Sequence, residues 1–126
     1  MAGRTDGLIK GFKASGAVGA RLIVKPGASD ELVAVGAAAT DKLIGISTEL
    51  PAADTEPCDV ILGGIAEVIY GGNVTRGDQL TSDAAGKAVV PAPAAGANNR
   101  VIGIALVSGA ANDIGVCKIG QGSVQG

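Results

Sequence analysis

Along the whole chain, apolar runs of four to seven residues are broken by turn-forming residues. The runs at 8–13, 21–25, 31–35, 43–47, 58–62, 65–70, 78–81, 87–90, 101–107 and 114–119 each read as a strand. Between them stand Lys25-Pro26-Gly27, Leu50-Pro51, Gly63-Gly64, Gly71-Gly72-Asn73, Arg76-Gly77-Asp78 and Ala85-Gly86-Lys87. Short strands at intervals of about 8 to 12 residues, with turns between them, predict an all-β fold, a small closed barrel or sandwich. The cleanest alternation is in Ile65-Ala66-Glu67-Val68-Ile69-Tyr70. One face carries Ala66, Val68 and Tyr70 and the other Ile65, Glu67 and Ile69, which predicts a strand buried on both sides.

Sliding the chain against itself by 58 positions lays Leu43-Ile44-Gly45-Ile46 on Val101-Ile102-Gly103-Ile104, and Ala52-Ala53-Asp54 on Ala110-Ala111-Asn112. Leu22 then falls on Leu80, and one inserted residue brings Cys58 onto Cys117. The expectation is a flexible arm at 1–6 and one β domain at 7–126, with candidate pseudo-symmetric repeats at 7–64 and 65–122. A unit of about 58 residues is small for burying its own apolar face, so the two would close on each other. Gly45 and Gly103, inside apolar strands, mark either equivalent bulges or places where backbones approach closely.

Composition sharpens this. Gly occurs 21 times in 126 residues, more than twice the usual share of about 7%. Each interior Gly costs a helix roughly 1 kcal/mol relative to Ala, so long helices are not expected. Aromatic residues make up 2% of the chain, which limits how much core one subunit can bury. Ten basic and twelve acidic residues give a net charge of −2, and the basic ones are scattered singly. Nucleic-acid binding needs clustered Lys and Arg, so no nucleic-acid partner is expected. No apolar run reaches the roughly 18 residues of a membrane span, and the start of the chain lacks a secretory apolar segment. Synthesis in the cytoplasm is the expectation, with Cys58 and Cys117 as free, buried thiols.

The chain contains no His, which removes the commonest general base and metal ligand and the usual Ser and Cys nucleophile pairs. Cys58 and Cys117 lack metal or redox spacing. The carboxylates Asp54, Glu56 and Asp59, Asp30 with Glu31, and Asp83 read as turn flanks. No glycine-rich segment has phosphate-binding spacing. No catalytic, cofactor-binding or metal-binding residue is therefore expected. Residues 77–89 read as a β-hairpin turning at Asp83-Ala84-Ala85-Gly86.

Taken together, Thr40-Asp41-Lys42-Leu43-Ile44-Gly45-Ile46, the run from Cys58 to Val68, Gly77-Asp78-Gln79-Leu80-Thr81-Ser82-Asp83 and the run from Pro93 to Ala105 resemble the capsid cement, or head decoration, proteins of tailed phages. The resemblance spans about residues 7 to 119. It implies a small β-rich subunit, usually a homotrimer, on the outer capsid surface of the virion where major capsid protein subunits meet. It transfers no catalytic residues. A closed oligomer touching several shell subunits gains attachment through multivalency. The polar segment with Arg4, Thr5 and Asp6, outside the repeat, is the candidate capsid contact; a frayed terminus is the plain alternative. A small-molecule or carrier β-module of the biotinyl-like kind is the competing reading, although Ala85-Gly86-Lys87 lacks the Met-Lys-Met context of a modified lysine.

Overall fold

The computed structural model describes residues 7–126. Ten strands follow one another and no helix occurs among the described residues: β1 (Ile9–Ala14), β2 (Ile23–Pro26), β3 (Leu32–Val35), β4 (Gly45–Ser47), β5 (Pro57–Ile61), β6 (Gly64–Ile69), β7 (Gln79–Ser82), β8 (Ala88–Val89), β9 (Asn98–Ala105) and β10 (Ile114–Gln125). The fold is all-β, and each apolar run of the sequence lies on a strand. Two strands are longer than their apolar runs. β9 begins at Asn98 and β10 continues to Gln125, and the two additions pair with each other past an irregularity between Ile119 and Gly122.

β1 to β5 close into a barrel in the order β1-β3-β2-β4-β5, and β6 to β10 form a sheet in the order β6-β10-β9-β7-β8. The pairings of the second set reproduce those of the first. Lys13 opposes Pro57 as Ile69 opposes Ile114. The row Ile23–Ile46–Ile61–Ile9 crosses β2, β4, β5 and β1, and the row Gln79–Ile104–Lys118–Ile65 crosses β7, β9, β10 and β6. Ala14 N donates to Glu56 O and Thr55 N to Ala14 O; Tyr70 N donates to Asp113 O and Asn112 N to Tyr70 O. Thr55 and Asn112, the corresponding turn residues, both take positive φ, at 69° and 70°. The parallel contact of β1 with β3 at Ala14 and Val33 also has its counterpart, a single parallel bridge between Tyr70 and Ala88.

This register revises the correspondences read by sliding the sequence. Cys58 stands opposite Phe12 and corresponds to Gly115, which stands opposite Val68. Cys117 corresponds to Val60, and Leu80 to Val24. The sequence match was misled because the two interiors are filled differently. The first holds Ala14, Val18, Val24, Val33, Ala52, Cys58 and Val60. In the second, Tyr70 replaces the small Ala14, and its ring occupies the space left by Gly109 and Gly115, where the first interior has Ala52 and Cys58. One large side chain and two glycines thus do the filling of three smaller residues, which keeps an interior dense.

Gly45 and Gly103 are close approaches. A Cβ on Gly45 would meet Val60 Cγ1 at 2.6 Å, and one on Gly103 would meet Cys117 Sγ at 2.8 Å and overlap Lys118 O. β6 is buried on one face only: Ala66, Val68 and Tyr70 are inaccessible, while Ile65, Glu67 and Ile69 are half-buried against the first set of strands.

The two sets share one core. Ile23, Leu43, Ile46 and Ile61, on the outside of the closed barrel, cluster with Ala66, Val68, Tyr70, Leu80, Ile102 and Ile119 of the second set. The seam explains why only the first set closes fully. In the first, Lys13 N donates directly to Glu31 O at 2.8 Å. In the second, the matching groups are spread apart by the segment leading into β2: Ile69 N donates to Arg21 O at 3.0 Å, and Ile23 N donates to Gly86 O at 2.8 Å. Arg21 Nε also donates to Glu67 Oε1 at 3.0 Å beside this inserted segment.

Candidate functional site

Six of the acidic residues, Asp41, Asp54, Glu56, Asp78, Asp83 and Asp113, are engaged in turns. Asp54 Oδ1 accepts from Gly16 N and Glu56 Oε1 from Ala53 N, each at 2.8 Å. Asp83 Oδ1 accepts from Ala85 N and Lys87 N, forming the turn between β7 and β8. In the second set Asp113 Oδ2 accepts from Ala110 N at the turn that corresponds to that of Glu56, and Asp78 Oδ2 accepts from Thr75 N. Asp41 accepts from Ala37 N and Ala38 N and pairs with Lys25 Nζ at 3.4 Å. Burial pushes the Asp41 carboxyl up, but these donors and the lysine outweigh it and hold it below the usual carboxylate range. Such side chains stand in for backbone in Asx-type turns, as short acidic residues do.

The two thiols are free and buried, and they lie in separate clusters. Burial pushes Cys117 up to about 12, and burial followed by the neighbouring Asp59 charge raises Cys58. Thiols held neutral in this way are poor nucleophiles and poor metal ligands. No group of three or more His, Cys, Asp or Glu gathers at one place among the described residues. Lys87, the lysine of the carrier reading, is half-buried and its Nζ donates to Asn112 Oδ1 at 2.7 Å.

What the surface does offer is contact area. Shallow concavities open on it among the described residues. One of about 400 Å³ is lined by Thr75, Arg76, Leu106, Val107 and Ser108. A second of about 440 Å³ lies on the ribbon formed by the ends of β9 and β10, at Asn98, Arg100, Gln121, Gly122 and Ser123. A third, about 260 Å³, lies over the β1–β3 seam and is lined by Lys10, Gly11, Phe12, Lys13 and Glu31, with Lys10 Nζ 4.5 Å from the centre of the Phe12 ring. All are open hollows with polar rims, unlike the enclosed, mostly apolar pockets that bury small ligands. Leu8, Leu50 and Ile114 are exposed by more than half of their surface. Arg4, Thr5 and Asp6 lie outside the described residues; the chain that follows them enters β1 along the surface, with Leu62 N donating to Leu8 O. The seam hollow and the exposed row on β7, β9 and β10 were not singled out in the sequence, because both depend on which strands become neighbours.

Among solved structures, the chain is similar to the N base of the head fiber gp8.5 of bacteriophage phi29, at 19% identity and a TM-score of 0.63 over 90% of this chain and 93% of that one. At that identity the likeness is one of fold. No curated protein sequence matches significantly. Residues 14–120, spanning β2 to β9 in full and the first seven residues of β10, match the phage cement protein family, and the chain belongs to that family.

Proposed function

We propose that this chain is a non-enzymatic structural protein of the virion, which binds the outside of a phage capsid as an oligomer, in the simplest case a homotrimer. It stabilises the shell by bridging neighbouring major capsid protein subunits. The family match over residues 14–120 carries this reading. The chemistry of the surface supports it: the carboxylates cap turns, the thiols are buried, and the exposed features are shallow contact faces. A cement works through many weak contacts repeated over a lattice, for which such faces suffice.

Within this reading, residues 7–64 and 65–122 are two versions of one unit in a single β domain, supported by the matched pairings. The arm with Arg4, Thr5 and Asp6 leads into the exposed Leu8 and makes part of the shell contact. The subunit is made in the host cytoplasm and joins the shell after the shell has assembled.

The test is co-sedimentation with expanded shells assembled from the major capsid protein encoded with this chain. Saturable, stoichiometric binding that raises the shell's melting temperature is expected, with weaker binding after Arg4 and Asp6 are both replaced by Ala. A chain that stays in the supernatant at every concentration overturns the reading.

A further inference from the structure

The contact between the two sets of strands is head to tail, so it leaves one unmatched head and one unmatched tail. The head of the first set is the segment Arg21-Leu22-Ile23 with the row Ile23, Ile46 and Ile61, which are 0%, 0% and 2% exposed because the second set covers them. The corresponding head of the second set is Gly77-Asp78-Gln79 with Gln79, Ile104 and Lys118, and this row faces solvent, Ile104 being 43% exposed. A two-fold arrangement would have buried both rows alike. The tail of the second set is the seam at Ile69 and Gly86, filled by Arg21-Leu22-Ile23. The tail of the first set is the seam at Lys13 and Glu31, which is empty of any inserted segment and lies under the hollow lined by Lys10, Gly11, Phe12, Lys13 and Glu31.

The free head is prepared as a strand edge. Ala105 N donates to Asp78 O, which makes Gln79 and Ile104 a non-hydrogen-bonded pair and turns the Gln79 N–H away from β9. On its other side β8 is only two residues long and its register with β7 begins at Thr81. In the first set, Gly36 N donates to Ile23 O at 2.8 Å; the chain following β8 instead carries Pro91, which has no N–H to give Gln79 O.

We infer that two copies of this chain associate head to tail, Gly77-Asp78-Gln79 of one copy adding as a strand to the β1–β3 seam of the next. The inference rests on the proposal that the subunit works as an oligomer, and it names the surface. Docking exchanges one bond, Lys13 N to Glu31 O, for two, Lys13 N to Gly77 O and Gln79 N to Glu31 O, the pattern that Arg21 and Ile23 already make with Ile69 and Gly86. Main-chain bonds of this kind give affinity in strand addition, and side chains give selectivity. Here the head carries Asp78 and Lys118 and the tail carries Lys10, Lys13 and Glu31, so both signs of charge find partners. Where Glu67 stands in the filled seam, the empty one has Gly11, whose only near neighbour at the Cβ position is Asp59 Oδ1 at 3.5 Å, so a second backbone can approach. A head-to-tail contact that turns by a third of a circle closes as a ring of three.

The experiment is mass by light scattering across concentration, without shells, for the full chain and three variants. The native chain should show the mass of three copies. Gln79→Pro removes the head's N–H at the first position of a strand, where Pro is tolerated, and Lys13→Glu sets like charge against Asp78 at the tail; each alone should have the mass of one copy. Mixed in equal amounts they should form a pair and nothing larger, since one live head and one live tail remain. Asp78→Asn keeps an acceptor for Thr75 N and should weaken association about tenfold, which covers a Gln79→Pro chain that fails to fold. A native chain that stays a single copy at all concentrations, variants that assemble as the native chain does, or a mixture that stays single overturns the inference. A single-copy chain that still saturates shells overturns it while the capsid reading stands.

Discussion

A methyl group added at Gly115 would overlap the Cζ end of the Tyr70 phenol ring. That ring reaches across the second interior to donate from its hydroxyl to Val107 O at 2.6 Å. Glycine at 115 is therefore a matter of space, as it is at Gly109, whose Cβ position lies 2.8 Å from Tyr70 Cδ2.

Gly115→Ala is expected to destabilise the fold by about 1 to 3 kcal/mol, the usual cost of overpacking a dense core. Tyr70→Phe keeps the ring and loses the bond to Val107 O, for about 1 kcal/mol. Urea unfolding of both variants against the native chain checks the order.

Gly103→Ala sets a Cβ against the Lys118 carbonyl and Cys117 Sγ between β9 and β10. Backbone cannot yield as a side chain tip can, so a loss of about 2 kcal/mol or more is expected. Gly63→Ala, with nothing within 4 Å of the added atom, should leave the urea unfolding midpoint nearly unchanged.

The Arg21–Glu67 pair spans the two sets of strands, with side chains 27% and 13% exposed. Replacing Arg21 with Met leaves a half-buried carboxylate, one of whose oxygens, Oε2, already has no partner. A double-mutant cycle with Arg21→Met and Glu67→Gln should give a coupling of about 1 to 2 kcal/mol, with Arg21→Met the costlier single change.

Alkaline pH should unfold the chain through Cys117. Its thiol ionises near 9.0 when unfolded and is pushed up to about 12 by burial when folded. The folded state thus holds the proton that the unfolded state releases, so stability is full below pH 9 and falls as pH rises towards 12. Burial pushes the Cys58 thiol and the Tyr70 phenol up as well, which acts in the same direction. Urea midpoints measured between pH 8 and pH 11 should decline, and less steeply in Cys117→Ala. A thiol reagent at pH 8 should leave both cysteines unmodified until urea is added.

Ten strands were readable from the sequence because each apolar run stops at a Gly, Pro or Asn turn, and those residues act locally. The ends of β9 and β10 were not. Gly120-Gln121-Gly122-Ser123 has no apolar period, and the strand resumes past the irregularity because Gly122 pairs with Val101, Ser123 with Arg100 and Val124 with Asn99 across the ribbon. The seam hollow at Lys13 and Glu31 was hidden for a related reason: those residues are 18 apart, and only a parallel pairing, which leaves no turn motif between neighbouring strands, joins them. The Arg21–Glu67 contact likewise follows from docking between strand sets and has no local trace.

Tyr70 is the sole tyrosine of a chain that has no tryptophan, and it sits wholly inside the second set of strands. Its ultraviolet emission consequently belongs to one address in the molecule. The far-ultraviolet circular dichroism belongs to all ten strands. Heated or titrated side by side, the two signals separate the loss of the second set from the loss of the whole: superposed curves mean that the halves melt as one, and an earlier tyrosine transition means that the closed barrel outlives its companion.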